Sequence, residues 1–120
     1  MNTELLKLEK NFFDIKYMKN IEYLNNHIDD EYLEVGKSGF FINKTDVIKE
    51  LSNLKENRNI DIYNFSQKQI DENTYIAHYI TLNKEQEKIY RTSIWKKEEN
   101  FKILFHQASI LTDDIILTKM

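Results

Sequence analysis

The stretch Ile89-Tyr90-Arg91-Thr92-Ser93-Ile94-Trp95-Lys96-Lys97-Glu98-Glu99-Asn100-Phe101-Lys102-Ile103-Leu104-Phe105-His106-Gln107 decides the fold. Two runs of alternating side chains, residues 89–97 and 101–111, flank the polar break Glu98-Glu99-Asn100. A period of two on both sides of a short polar break is the pattern of paired antiparallel strands. The same period governs the sequence upstream. Ile60, Ile62 and Asn64 alternate with Asp61, Tyr63 and Phe65, and Tyr75, Ala77 and Tyr79 alternate with Ile76, His78 and Ile80. Breaks at Asp71-Glu72-Asn73 and at residues 83–87 separate these runs, so four long strands with short connections predict an antiparallel meander.

The first half of the chain changes period. Leu5, Leu8, Phe12 and Ile15 recur at helical spacing after a cap at Asn2 or Thr3, with Glu4 placed to meet the positive end of the helix. Met18, Ile21, Leu24 or Asn25, and Ile28 form a second stripe, so the pair reads as a helical hairpin or a bent helix. Residues 32–36 are a short strand, Gly36-Lys37-Ser38-Gly39 a turn, and residues 40–42 a return strand. A third helix, capped by Thr45 and carrying Val47, Ile48, Leu51 and Leu54 on its apolar stripe, should end near Asn57. Helices followed by a sheet make this a single α+β domain over residues 1–120, with a core near 5–111 in which the sheet curls around the helices. The tail, residues 112–120, contains Ile115-Ile116-Leu117; packing, assembly and fraying all remain open for it.

Composition narrows the function classes. At 120 residues, 41% hydrophobic and 12% aromatic, the chain is long and apolar enough to bury one core. A formal charge of -3, with no long block of one sign, and a pI near 5.6 argue against nucleic-acid binding. The absence of cysteine excludes disulfides, thiolate zinc sites and cysteine nucleophiles. No apolar run suits a signal peptide or a membrane span, which predicts a soluble, cytoplasmic protein without membrane contact. The wealth of Lys, Asn and Ile leans towards a bacterial source.

Chemistry concentrates in the opening stretch. A two-residue turn at Glu98-Glu99 places Arg91 opposite His106, Ser93 opposite Leu104 and Trp95 opposite Lys102, so Arg91, Ser93 and His106 share one face. A slip of one residue sends His106 to the other face. Arg91 offers a fork of donors to a carboxylate or phosphate, and His106 a group that titrates near neutrality. Glu34 is either a general base or the ion-pair partner of Arg91, with His106 then a hydrogen-bonded core residue. Tyr63, Tyr75, Tyr79 and Trp95 have polar tips that suit a pocket wall and apolar bodies that suit plain core. His27, His78 and His106 show no metal-ligand spacing, and the glycine turn lacks the spacing of a phosphate loop.

The segments Leu33-Glu34-Val35-Gly36-Lys37-Ser38-Gly39, Tyr90-Arg91-Thr92-Ser93-Ile94-Trp95 and Phe105-His106-Gln107-Ala108-Ser109 together resemble the nuclear transport factor 2-like superfamily, also called SnoaL-like or cystatin-like. Within it, the chain resembles a small bacterial branch of unknown function. Ala108, Ser109 and Phe101 stand where that branch tends to carry Gly, Thr and Trp. The resemblance implies a cone-shaped fold, a curved antiparallel sheet wrapped around N-terminal helices with a cavity at its open end. It implies a polar lining of Glu34, Arg91, Ser93 and His106, with Trp95 and Gln107 packing or at the rim. Members range from ketosteroid isomerase and polyketide cyclases to ligand binders, immunity proteins and association domains, so fold alone does not fix function. The Asp base and Tyr donor of the isomerase find no matching positions, so no catalytic residue is assigned.

The leading expectation is a small-molecule binder, for an anionic or carbonyl-bearing ligand, using Glu34, Tyr79, Arg91, Ser93, Trp95 and His106. It needs no cofactor and forms a homodimer through the outer sheet face. The alternatives are an isomerase, dehydratase or hydrolase-like enzyme with His106 or Glu34 as base, and a protein-interaction or immunity-type module.

Overall fold

A computed structural model describes residues 4–120. The cap expected at Asn2 or Thr3 lies outside the described residues. Four helices and six strands follow one another: α1 (Glu4–Asn11), α2 (Ile15–Met18), α3 (Ile21–His27), β1 (Ile28–Val35), β2 (Phe41–Asn43), α4 (Lys44–Ser52), β3 (Tyr63–Asp71), β4 (Thr74–Leu82), β5 (Lys88–Lys97) and β6 (Phe101–Leu111).

The N-terminal stripe is broken into short helices by side chains that cap new starts. Asp14 accepts from the Lys16 amide and opens α2, and Asn20 accepts from the Tyr23 amide and opens α3. Asn43, not the expected Thr45, caps α4 through the Asp46 amide, and that helix stops at Ser52, earlier than its apolar spacing suggested. An Asn two residues back offers the same acceptor as Thr, so the two caps compete at the level of sequence. Among the described residues, no helix is long and apolar enough to cross a membrane.

The strands form one curved, unclosed sheet in the order β2-β1-β6-β5-β4-β3. From β3 to β6 it is the expected antiparallel meander. β1 departs from that expectation, because it runs parallel to β6, with Glu34 beside His106, and the sheet is therefore mixed. The chain crosses from β2 through α4 and a long connection before β3 starts, so the first hairpin docks on the last strand rather than on its successor. Periodicity reports a strand's faces but not its neighbour. Gly39, at φ 84°, supplies the left-handed turn between β1 and β2.

The concave face packs on the helices. Leu5, Leu8, Met18, Leu24, Ile28, Val47, Leu51, Trp95 and Ile103 make the main core, with Phe12 stacked on Trp95 at a ring separation of 5.9 Å. The register between β5 and β6 differs from the one expected. The turn uses three residues, with Lys97 opposite Phe101, and Leu104 is then an extra residue, because Trp95 faces Ile103 while Ile94 faces Phe105. The longer turn alone would send His106 outward, and the bulge at Leu104 turns it back. His106 therefore lies opposite Ser93, not Arg91, yet on the concave face that it was expected to share with both.

The tail is packed. After Leu111 it reaches the start of β3, where Tyr63 bridges to Lys119. Asn64 holds it on both sides: its amide nitrogen donates to the Ile116 carbonyl at 3.0 Å, and its side-chain oxygen accepts from the Thr118 amide at 2.5 Å. Asn64 has φ 53°, a conformation that Asn tolerates better than most residues. Asn64→Ala should lose about 1–2 kcal/mol of stability and speed amide exchange at residues 116–118, as read by hydrogen–deuterium exchange. Asn64→Gly should restore the backbone but leave the tail fast.

Candidate functional site

The concave face and the helices enclose a cavity of about 230 Å³. Phe12, Phe13, Ile28, Val47, Leu51, Leu54 and Ile103 make its apolar wall, and Glu9, Tyr32, Glu34, Glu50, Arg58, Tyr79, Arg91 and His106 make its polar one. Of the residues expected at a site, Glu34, Tyr79, Arg91 and His106 reach this cavity. Ser93 and Trp95 share their face of β5 but are fully buried behind the wall. Tyr75 packs edge-on against Phe101, and Gln107 lies exposed on the outer face. His27 and His78 are held elsewhere, by the Phe101 carbonyl and by Thr92.

The residue that organises the wall is Glu9, which is 1% exposed. It stands four residues after Leu5 on the inward stripe of α1, so the helix carries a carboxylate into the core. Tyr79 donates to Oε1 at 2.6 Å and the Trp95 indole to Oε2 at 2.7 Å, and the Ser93 hydroxyl is a third partner. Burial pushes the Glu9 pKa up against the opposing pull of these donors and of Arg91. Burial also drives the Tyr79 hydroxyl well above its usual range, which keeps it a donor.

The remaining bonds follow from which groups have protons to give. Arg91 Nε donates to Thr81 Oγ1 at 2.8 Å, and its Nη1 lies 3.3 Å from His106 Nε2. A guanidinium only donates, so Nε2 must carry the lone pair and Nδ1 the proton. His106 Nδ1 then donates to Ser93 Oγ at 2.7 Å, which leaves the Ser93 proton free for Glu9, whose charged form Ser93 favours. Burial first, then Arg91 and Arg58, lower the His106 pKa to about 3, so the ring is neutral at pH 7. In this arrangement both ring nitrogens of His106 are engaged, Nε2 with Arg91 and Nδ1 with Ser93.

Arg91 does not pair with Glu34. Glu34 accepts from the Tyr32 hydroxyl at 2.5 Å. The ion pairs within 4.0 Å among the described residues all use lysines and leave Arg58 and Arg91 out. Both guanidiniums lie over the Phe13 ring, at 4.7 Å for Arg58 and 5.4 Å for Arg91. Burial and the neighbouring Arg91 lower the Arg58 pKa from its ordinary value.

Arg58, Glu9, Phe13 and Tyr32 escape a reading based on strand periods. Two signals were present. A glutamate interrupts an otherwise apolar stripe at Glu9, and Arg58 and Arg91 are the only arginines in a chain whose other basic residues are lysines. Both arginines line this one cavity, and no lysine does.

No protein-family model and no curated protein sequence matches the chain. Solved structures do. A nuclear transport factor 2-like protein of unknown function from Prochlorococcus aligns at a TM-score of 0.71 with 17% identity, over 95% of this chain and 97% of that one. The fold is that of the nuclear transport factor 2-like, cystatin-like proteins. An uncharacterized cystatin-like protein from Caulobacter vibrioides aligns at 0.69 with 9% identity, over 92% of this chain and 89% of that one. A putative ketosteroid isomerase from Parabacteroides distasonis aligns at 0.68 with 13% identity, over 90% and 86%. At these identities the nuclear transport factor 2-like architecture is shared, while the cavity residues must be read from this chain itself.

Removing the Glu9 carboxylate leaves Tyr79, Trp95 and Ser93 facing nothing. Glu9→Ala should therefore cost about 3 kcal/mol or more in urea unfolding, from several buried donors left unmet. Glu9→Gln, which keeps an acceptor, should cost less. Equal losses in the two variants would show that the site depends on packing alone.

Proposed function

We propose that the protein binds a small anionic molecule, a carboxylate or phosphate on a compact apolar body, in the cavity of the cone. The observation that carries this is the pair Arg58 and Arg91, both at the cavity and neither in an ion pair within 4.0 Å among the described residues. Two guanidiniums gathered over one ring, that of Phe13, at one cavity repel, and an anion beside them relieves that repulsion. Arg is suited to this role by its planar fork, which meets both oxygens of a carboxylate. Thr81 and His106 take two Arg91 donors and fix the plane of its fork, which lowers the ordering cost on binding.

The apolar wall sets the rest of the ligand. Phe12, Val47, Leu51 and Leu54 suit a hydrocarbon body, and a cavity of about 230 Å³ restricts it to something smaller than a drug-sized molecule. With the lone pair of His106 held by Arg91, binding is favoured over catalysis by that residue. Leu33, Phe41 and Tyr90 are exposed on the outer face of the sheet, which supports pairing with a second copy there.

Short-chain carboxylates should bind the wild type with a saturable heat in calorimetry. Arg58→Met and Arg91→Met should each weaken that binding by about tenfold or more, whereas Lys49→Met on the surface should not change it. Equal affinity in all four proteins would sink the proposal.

A further inference from the structure

Glu34 is the one strand-borne carboxylate of the cavity that is not consumed by the fold. Glu9 is met at both oxygens, by Tyr79 and Trp95, but Glu34 receives one hydrogen bond, at Oε1 from Tyr32, and Oε2 has no hydrogen bond or ion pair among the described residues. Tyr32 is itself 5% exposed, so the bond that aims Glu34 comes from a fixed side chain. The parallel pairing of β1 with β6 sets Glu34 directly beside His106, and His106 holds Arg91. The cavity therefore presents a carboxylate on β1, one guanidinium on β5, with β6 and His106 between them, and a second guanidinium on the connection before β3, with no ion pair within 4.0 Å among them.

A pure anion meets a contradiction in such a site. The guanidiniums attract it, and Glu34 and Glu50, which line the same cavity, repel it. A ligand with a cationic group beside its anionic one removes the contradiction, because each charge meets its opposite. We infer that the ligand is amphoteric, an amino acid or similar zwitterion, with its anionic group on Arg58 and Arg91 and its ammonium on Glu34. This rests on the anion reading above and adds to it a second recognition point. Glu34 then acts as the selectivity residue that turns away simple acids of the same size, the repulsive element that specificity requires.

Four probes of one carbon skeleton separate the cases: hexanoate, 2-aminohexanoate, 6-aminohexanoate and hexylamine, each titrated calorimetrically at pH 7. One of the two amino acids should bind the wild type about tenfold or more tightly than hexanoate. Glu34→Gln should erase that gain and leave hexanoate binding equal or improved, with unchanged thermal unfolding to show that the fold persists. Tyr32→Phe, which frees the carboxylate without removing it, should reduce the gain in part. If hexanoate binds at least as well as both amino acids while still needing Arg58 and Arg91, the amphoteric assignment falls and the anion reading stands. If neither acid nor amino acid binds, or if hexylamine alone matches the amino acids and ignores Arg91→Met, both fall.

Discussion

The Glu9 carboxylate lies between the first helix and the sheet, out of reach of water, and much of the concave face is arranged around it. A buried carboxylate is costly unless its oxygens are met, and here Tyr79 of β4 and Trp95 and Ser93 of β5 meet them. One side chain of α1 thereby sets where the helix sits along two strands. Apolar packing of Leu5 and Leu8 would hold the helix against the sheet but tolerate sliding, whereas two directed hydrogen bonds, from Tyr79 and Trp95, do not.

That anchor also explains why the cone is hollow. Ser93 is tied to Glu9 on one side and to His106 on the other, and His106 in turn fixes Arg91. The inner ends of β5 and β6 are thus held as a chain of oriented polar groups that cannot be buried under further hydrocarbon without leaving donors unmet. The helices close over the apolar part of the sheet around Trp95 and stop short of the polar part, and the gap is the cavity.

The periods of β4 to β6, the glycine turn and the concave-face grouping of Arg91, Ser93 and His106 were legible in the sequence, because alternation depends only on neighbours along the chain, whereas the run expected from Ile60 becomes strand only at Tyr63. What was not legible depends on the third dimension. The expected two-residue turn was one residue short and the bulge at Leu104 was unforeseen; the two departures cancel in parity, which is why His106 still faces inward although its partner changed from Arg91 to Ser93. The parallel seam between β1 and β6 joins segments far apart in sequence, so nothing local announces it. Glu9 was hidden for a different reason. A charged residue on an apolar stripe reads as the edge of that stripe until the donors that receive it are known, and those lie at positions 79, 93 and 95.

The direction of the hydrogen-bond chain, from Arg91 through His106 and Ser93 to Glu9, is the claim on which the site and its polarity rest. Nitrogen-15 NMR of the His106 ring across pH reads it directly. The account predicts a neutral ring protonated at Nδ1, with no titration until the pH approaches about 3. A ring protonated at Nε2, or one that gains its second proton near its ordinary pKa, would contradict it.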